Sequence, residues 1–385
     1  MSLLVSTAIA ELNQEASNAG IRISETNWIL FLKRANKYFL HDYKMPTAQR
    51  SFDLLAYPSV VEYAGPTDLL AIMEPERPSG LFSPNFTHQT QREFVHYPYG
   101  KLTGYKFERG TRYLLINDDT NSPIRIHACN DTDDNGTWAV SGDGSSLVQD
   151  QNIYTEGSGS LKFTVTGSGG TTTLTISDMS AIDLTTIKDV GRIFADLGCP
   201  SSNTAAITSV RLRIGTSASA YYEMTITARF RGDNILNGFG LVGFDFTSYS
   251  TTGSPDVTAL NYIQIVITHG TSGINGAYHL DNIFGANPTY YQLPYYSQNN
   301  VLAVDTTTYK QDPTLTSDTI LCPPAFEEGL IYKALEIAAV EKKRDTSLAN
   351  YARGELNRID RALQSEYPNQ KSRPQTTWYK GANKF

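Results

Sequence analysis

Apolar residues recur at helical spacing near both ends of the chain and at strand spacing through its middle. Leu4, Ala8, Leu12 and Ala16 lie four apart and stop before Gly20, a residue suited to close a helix in the left-handed conformation, so a first helix of about four turns is predicted. Ser24 stands as an N-cap before Trp28, Phe31, Leu32, Ala35 and Phe39, one broad stripe that ends near Pro46. The two helices are expected to form a hairpin. Toward the other end, Pro323-Pro324 opens what reads as a single long helix, with Phe326, Leu330, Ala334, Ile337, Leu348, Ala352, Leu356, Ile359 and Leu363 on one side and Pro368 as its stop.

Between these ends the period shortens. From Phe52 to Cys129 short runs such as Ser59 to Tyr63, Arg112 to Asn117 and Ile124 to Ala128 are separated by Gly and Pro and predict a small sheet. Past Asn130 the chain turns to Gly, Ser, Thr and Asp. Alternating segments then follow one another as far as Phe284, at Ser160 to Thr166, Thr172 to Ile176, Ser209 to Ile214, Tyr221 to Phe230 and Tyr262 to Thr268. With turns at Gly167-Ser168-Gly169-Gly170 and Ser272-Gly273, they describe an antiparallel β-sandwich of jelly-roll kind. The predicted fold class is α+β and multidomain. Residues 1–130 and 288–385 form a small α-helical bundle with a short sheet and a C-terminal arm, interrupted by the inserted sandwich at 131–287. Insertion at a loop tip is inexpensive, because a sandwich commonly has adjacent termini.

Charge separates the parts further. The 385 residues carry a net charge of -7, which excludes general phosphate neutralisation by clustered Lys and Arg. Residues 131–287 hold 7 basic and 15 acidic side chains, so the acidity belongs to the sandwich, whereas residues 333–385 hold 11 basic and 6 acidic ones. Lys342, Lys343 and Arg344 read either as a solvated helix face or as a contact to DNA or an acidic partner. The three cysteines lie far apart without a CxxC, which indicates buried thiols rather than disulfides or zinc. No apolar stretch approaches the ~18 residues a membrane helix needs, and the N-terminus lacks the basic start of a signal peptide, so a soluble product made in a cytoplasm is expected.

Candidate chemistry is sparse. Asp131-Thr132-Asp133-Asp134-Asn135-Gly136 matches the first half of a calcium loop, but Gly142 stands where the bidentate Glu belongs. Two readings stay open, a solvated turn and a looser calcium cage from Asp131, Asp133, Asn135 and the distant Asp281. No HExxH, GxSxG, GxGxxG or phosphate loop occurs, so no enzyme and no cofactor beyond that calcium is expected. Tyr154, Tyr221 and Tyr222 are candidates for stacking on sugar rings, against the alternative of ordinary cross-strand packing. Tyr295 and Tyr296 in a Tyr- and Pro-rich arm, and Trp378 and Tyr379 in the C-terminal tail, suit contacts to neighbouring copies.

Two stretches resemble known families. Ser24-Glu25-Thr26-Asn27-Trp28 opening an early helix, paired with Leu321-Cys322-Pro323-Pro324-Ala325-Phe326 opening a late Ala-rich one, resembles the head–tail connector (adaptor) proteins of tailed bacteriophages. That resemblance implies a structural virion protein of the phage neck. It would form a homo-oligomeric ring, commonly of twelve copies, that docks on the portal, meets tail or neck proteins and passes DNA through its channel. The middle is similar to carbohydrate-binding-module-like jelly rolls inserted in phage virion proteins, on Asp134-Asn135-Gly136-Thr137-Trp138, Glu156-Gly157-Ser158-Gly159-Ser160-Leu161-Lys162-Phe163, Ile182-Asp183-Leu184 and His279-Leu280-Asp281-Asn282-Ile283. Such a module implies either a surface glycan or a brace for the ring. The alternative function is a carbohydrate-binding adhesin or receptor-binding protein in which the sandwich is the active part.

Overall fold

The structure is a computed structural model describing residues 2–43, 45–60, 62–72, 87–88, 104–107, 113–116, 122–167, 169–200, 207–270, 274–343 and 345–366. Its contacts divide the chain into two compact units, one of residues 1–53, 66–75 and 292–385 and the other of residues 54–65 and 76–291. The described part is mostly β-sheet with four α-helices.

The helical unit draws on both ends of the sequence. α1 (Val5–Asn18) buries Val5, Ala8, Ile9, Leu12 and Ala16 along one face. Leu4, expected on that stripe, precedes the helix and is exposed. The helix closes at Gly20, which takes φ +70° while its N–H donates to the Ser17 carbonyl and the Ile21 N–H donates to the Ala16 carbonyl, each at 2.9 Å. Glycine reaches that backbone conformation without strain. In α2 (Glu25–Tyr43) the five predicted stripe residues are all buried. Trp28 Nε1 donates to Asn13 Oδ1 at 2.8 Å, which ties the second helix to the first.

α3 (Pro324–Ala338) and α4 (Thr346–Glu366) come from the other end of the chain. The Phe326 ring stands edge-on to Phe39 and Tyr43, with centroids 6.0 and 5.7 Å away. A Cβ at Gly329 would come within 2.7 Å of the Phe39 ring, so this approach of α3 to α2 requires glycine. The single long helix expected here is in fact two. A π-helical turn at Ala339–Lys343 ends the first, and Asp345 opens the second, its Oδ1 accepting the N–H groups of Ser347 and Leu348 at 2.9 and 3.0 Å. Glu336 then braces the pair, accepting from Lys333 Nζ at 2.8 Å and from Arg353 Nε at 3.0 Å. One buried cluster runs through Leu3 to Ala48 and Val301 to Leu363. Within this unit Asn36 and Asn300, both fully buried, exchange two amide hydrogen bonds of 2.7 and 2.8 Å, which fixes one alignment of otherwise unspecific apolar surfaces.

The second unit is built on a β-sandwich of β1 (Ile124–His127), β2 (Ala139–Gly142), β3 (Gly144–Asp150), β4 (Ser160–Val165), β5 (Thr171–Ile176), β6 (Arg192–Cys199), β7 (Ser209–Ser217), β8 (Ala220–Ile226), β9 (Gly238–Asp245), β10 (Ser250–Thr252), β11 (Tyr262–Thr268) and β12 (Gly276–Ala286). One six-stranded sheet runs β3-β4-β12-β6-β9 with β1 also on β12; the other runs β10-β8-β7-β11-β5-β2. The pairings are antiparallel, as expected. Alternate residues of each strand point inward, and Leu161, Phe163, Leu174, Leu212, Ile265 and Leu280 join one core.

The division of the chain differs from the expected one near 130. β1 pairs with β12 through His127 and Ile283, and Ile126 is part of the sandwich core. Tyr57 and Tyr63 pack edge-on against Phe230, at 5.8 and 5.6 Å, and Tyr57 also meets Phe194. Residues 54–65 and 76–130, read from sequence as part of the helical body, therefore group with the sandwich. The small sheet expected among them consists of Thr87–His88, Gly104–Phe107, Tyr113–Ile116 and Glu62–Ala64.

Truncating Phe326 to Ala is expected to cost the helical unit about 3–5 kcal/mol. Urea unfolding followed by helical circular dichroism reads this as an earlier midpoint, with the β transition unmoved.

A candidate ligand-binding face on the sandwich

β7 lies at the middle of the second sheet and sets its character. Val210, Leu212 and Ile214 point into the core, so Arg211, Arg213 and Gly215 face outward. Register places Glu223 of β8 and Gln264 of β11 directly opposite Arg213, and Tyr221 and Tyr262 opposite Gly215. Thr175 of β5 lies beyond Gln264.

These side chains form one hydrogen-bonded strip. Arg213 Nε donates to Glu223 Oε2 at 2.6 Å, and Arg213 Nη1 donates to Gln264 Oε1 at 2.8 Å. Gln264 Nε2 in turn donates to Thr175 Oγ1 at 3.2 Å. The same guanidinium lies over the half-buried Tyr221 ring, 4.9 Å from its centroid. Tyr262 is buried beside them, and burial raises its phenol pKa. Arg211 is held less tightly, its Nη1 3.9 Å from Glu223 Oε2. The strip thus offers an aromatic ring, a clamped guanidinium, an amide and hydroxyls along a pleated surface, which is what a polyhydroxylated ring needs for stacking and hydrogen bonding.

The outward face of the first sheet is different. At one end Phe194 and Phe284 stack at 5.2 Å beneath Tyr57 and Phe230. At the other, His279 Nε2 lies 3.2 Å from Asp150 Oδ2, and Lys162 Nζ lies 3.5 Å from the same oxygen. The hydrogen bond donated by the Asn152 N–H to Asp150 Oδ1 leads the effects that hold the Asp150 carboxyl down at about 2.

The sequence candidates scatter across this frame. Tyr221 lies on the strip, but Tyr222, its neighbour on the same strand, points the other way into the core and donates to the Pro255 carbonyl at 3.1 Å. Adjacent strand residues face opposite sides, so the pair cannot share a ligand. Tyr154 is exposed in the β3–β4 connection of the first sheet, away from the strip's strands. The proposed calcium set does not assemble: among the described residues no three His, Cys, Asp or Glu side chains gather as metal ligands. Asn135 Oδ1 accepts the Ser180 N–H, Asp131 Oδ1 accepts the Thr132 N–H, and Asp133 is exposed. Asp281 is fully buried and accepts from the Thr155 N–H at 2.6 Å and the Glu156 N–H at 3.1 Å. Thr155 Oγ1 lies 2.8 Å from Asp281 Oδ2 and 2.9 Å from Asp196 Oδ2, and its one proton serves one of them. Burial raises both carboxyls, Asp196 to about 6, and Asp281 Oδ1 is buried without a hydrogen-bond partner.

Tyr295 and Tyr296, read as interface residues, are buried within the helical unit, on a strand paired with Leu69–Ile72. Tyr295 donates to Asp68 Oδ1 at 3.0 Å, so these rings serve the interior of their own chain. Lys342 and Lys343 fall in the π-helical turn, while Arg344, Trp378 and Tyr379 lie outside the described residues. Arg211, Arg213, Glu223 and Gln264 escaped the sequence reading, although Arg-x-Arg on an alternating strand marks two cations on one face.

No family model and no curated protein matches the chain. Among solved structures, the family 30 carbohydrate-binding module of a Clostridium thermocellum cellulosomal cellulase aligns at 11% identity over 43% of this chain and 94% of that one, with a TM-score of 0.29. A carbohydrate-binding module of the β-sandwich superfamily aligns at 12% over 46% of this chain and 66% of that one, just under two thirds, with a TM-score of 0.28. The enzymatically active domain of bacteriophage CBA120 tailspike protein 4 aligns at 11% over 43% and 22%, with a TM-score of 0.25. Likeness this distant carries no function across, so the face itself has to carry the reading.

Two buried imidazoles make the sandwich sensitive to acid. Burial lowers the pKa of His127 and of His269, whose Nε2 lies 2.8 Å from Thr172 Oγ1 and whose Nδ1 has no partner. A folded pKa below the unfolded value of about 6.5 gives stability that is present above that pH and lost as pH falls. Asp196 acts in the opposite sense, its contribution being present below about pH 4 and lost as pH rises through about 6. In His269→Gln, urea midpoints measured at pH 7 and at pH 5.5 are expected to differ less than in the parent protein.

Proposed function

We propose that the protein works by binding and assembly rather than by catalysis. In this reading the sandwich presents the outward strip of its second sheet to a glycan, while the helical unit serves as the body of a head–tail adaptor in the neck of a tailed phage. The observation that carries the glycan reading is the clamped Arg213, fixed by Glu223 and Gln264 over the Tyr221 ring on an outward sheet face. Fixing these groups beforehand lowers the ordering cost of capturing a flexible sugar. The adaptor reading is supported by the terminal segments closing one helical core while the middle of the chain builds its own. It brings with it a ring of about twelve copies on the portal, with tail proteins as neighbours and DNA in the channel, as the resemblance implies.

A second reading keeps the glycan face and makes the protein an adhesin or receptor-binding protein anchored by its helices; the placement of the candidate strip on the sandwich favours it.

Glycan-array binding by the full chain is expected, with Tyr221→Ala and Arg213→Ala each weakening it by about tenfold, roughly 1.4 kcal/mol. Electron microscopy of the purified chain with a portal is expected to show a ring on the portal face. A free trimer would support the adhesin reading instead, and absence of array binding would remove the glycan role.

A further inference from the structure

The charges on the candidate strip run against those of the segment that carries it. Residues 131–287 hold 15 acidic and 7 basic side chains, yet the charged groups at Arg211, Arg213 and Glu223 on the outward face are two cations and one anion. Glu223 is already met by Arg213 at 2.6 Å. Arg213 is in turn committed to Glu223, Gln264 and the Tyr221 ring, and so acts as a positioning residue for the face.

Arg211 is placed differently. Its 3.9 Å approach to Glu223 is too long for a hydrogen bond, and about a third of its side chain is exposed. The residues opposite it across the neighbouring strands are Thr225 and Val266, with Thr173 beyond Val266, and none of them carries charge. A guanidinium has five donors in a planar fork that fits a carboxylate with two parallel hydrogen bonds. Here that fork stands beside hydroxyls, on the same strand and face as the clamped Arg213.

We propose that the ligand of this face is an acidic saccharide and that Arg211 binds its carboxylate. The proposal rests on the glycan reading above and adds the chemical class. Uncharged sugar rings would stack at Tyr221 and bond to Arg213 and Gln264, and a uronate or sialate carboxylate two residues along the same strand would find the loosely held fork of Arg211. The surrounding acidity of the module would then reject polyanions that cannot reach Arg211, which gives selection by position rather than by bulk charge.

The test uses the full chain and matched pairs of oligosaccharides, uronate- or sialate-bearing, each in its acid form and as its methyl ester. The expected result is binding of the acid form about tenfold tighter than the ester at low salt, with the advantage shrinking as sodium chloride is raised. Arg211→Gln should lose that advantage while keeping the affinity for the ester, and Tyr221→Ala should weaken both forms. Equal affinity of the parent protein for acid and ester, or an unchanged preference in Arg211→Gln, would overturn the acidic-ligand proposal and leave glycan binding standing. Failure of the parent protein to bind either form of any pair would overturn both.

Discussion

The edge of the Phe326 ring against Phe39 and Tyr43 joins residues nearly three hundred positions apart, and the rest of the helical unit depends on that contact. Chain closure over such a distance costs entropy, which only a large apolar surface can offset. That surface is supplied by the stripe of α2 and by α3, made narrow at Gly329, while the reciprocal amide pair of Asn36 and Asn300 fixes how α2 meets the segment that precedes α3. Among the described residues the sandwich builds its own core, from Ile126 through Ile283. Two cores in one polypeptide mean two cooperative units, and each can carry a separate role.

In the sandwich the controlling constraint is the two-residue period of a strand. It sends Leu212 inward and Arg211 and Arg213 outward, and by the same rule sends Tyr222 inward and Tyr221 outward. The candidate face follows from register alone once the neighbours of β7 are known, because Glu223 and Gln264 then flank Arg213 at hydrogen-bond reach. An arginine fixed in this way is both a wall for an aromatic ring and a donor to whatever stacks on it. The first sheet meets the same geometric rule with a different outcome, an outward aromatic cluster that takes up Tyr57 and Tyr63 of a preceding segment.

Much of this architecture was legible in local pattern. The stripe of α2, the glycine that closes α1 and the strands at Ser160, Thr171, Ser209 and Tyr262 lie close to where periodicity puts them. What local pattern could not supply was pairing between distant segments. Ile124–His127 reads as part of an early sheet, and only its bonds to Ile283, Phe284 and Gly285 assign it to the sandwich. The break at Ala339–Lys343 carries no Pro or Gly to announce it, and its signal is the helix-opening Asp345, hidden in a run of charged residues. Tyr295 and Tyr296 look like surface anchors in a Pro-rich arm until their strand is seen paired beside Leu69–Ile72, with Asp68 accepting the Tyr295 hydroxyl. The calcium motif misled for a related reason. Its Asn and Asp side chains are taken by backbone N–H groups, a competing use of the same oxygen donors that spacing does not reveal.

The central claim is that residues 1–53 and 292–366 unfold as one cooperative body, separately from the sandwich. Native-state hydrogen exchange of the full chain over a denaturant series measures this directly. Amides of α1, α2, α3 and α4 should merge onto one unfolding isotherm and those of β4, β7, β11 and β12 onto another. If the N-terminal and C-terminal helices instead opened at different free energies, or either merged with the strands, the two-core description would be contradicted.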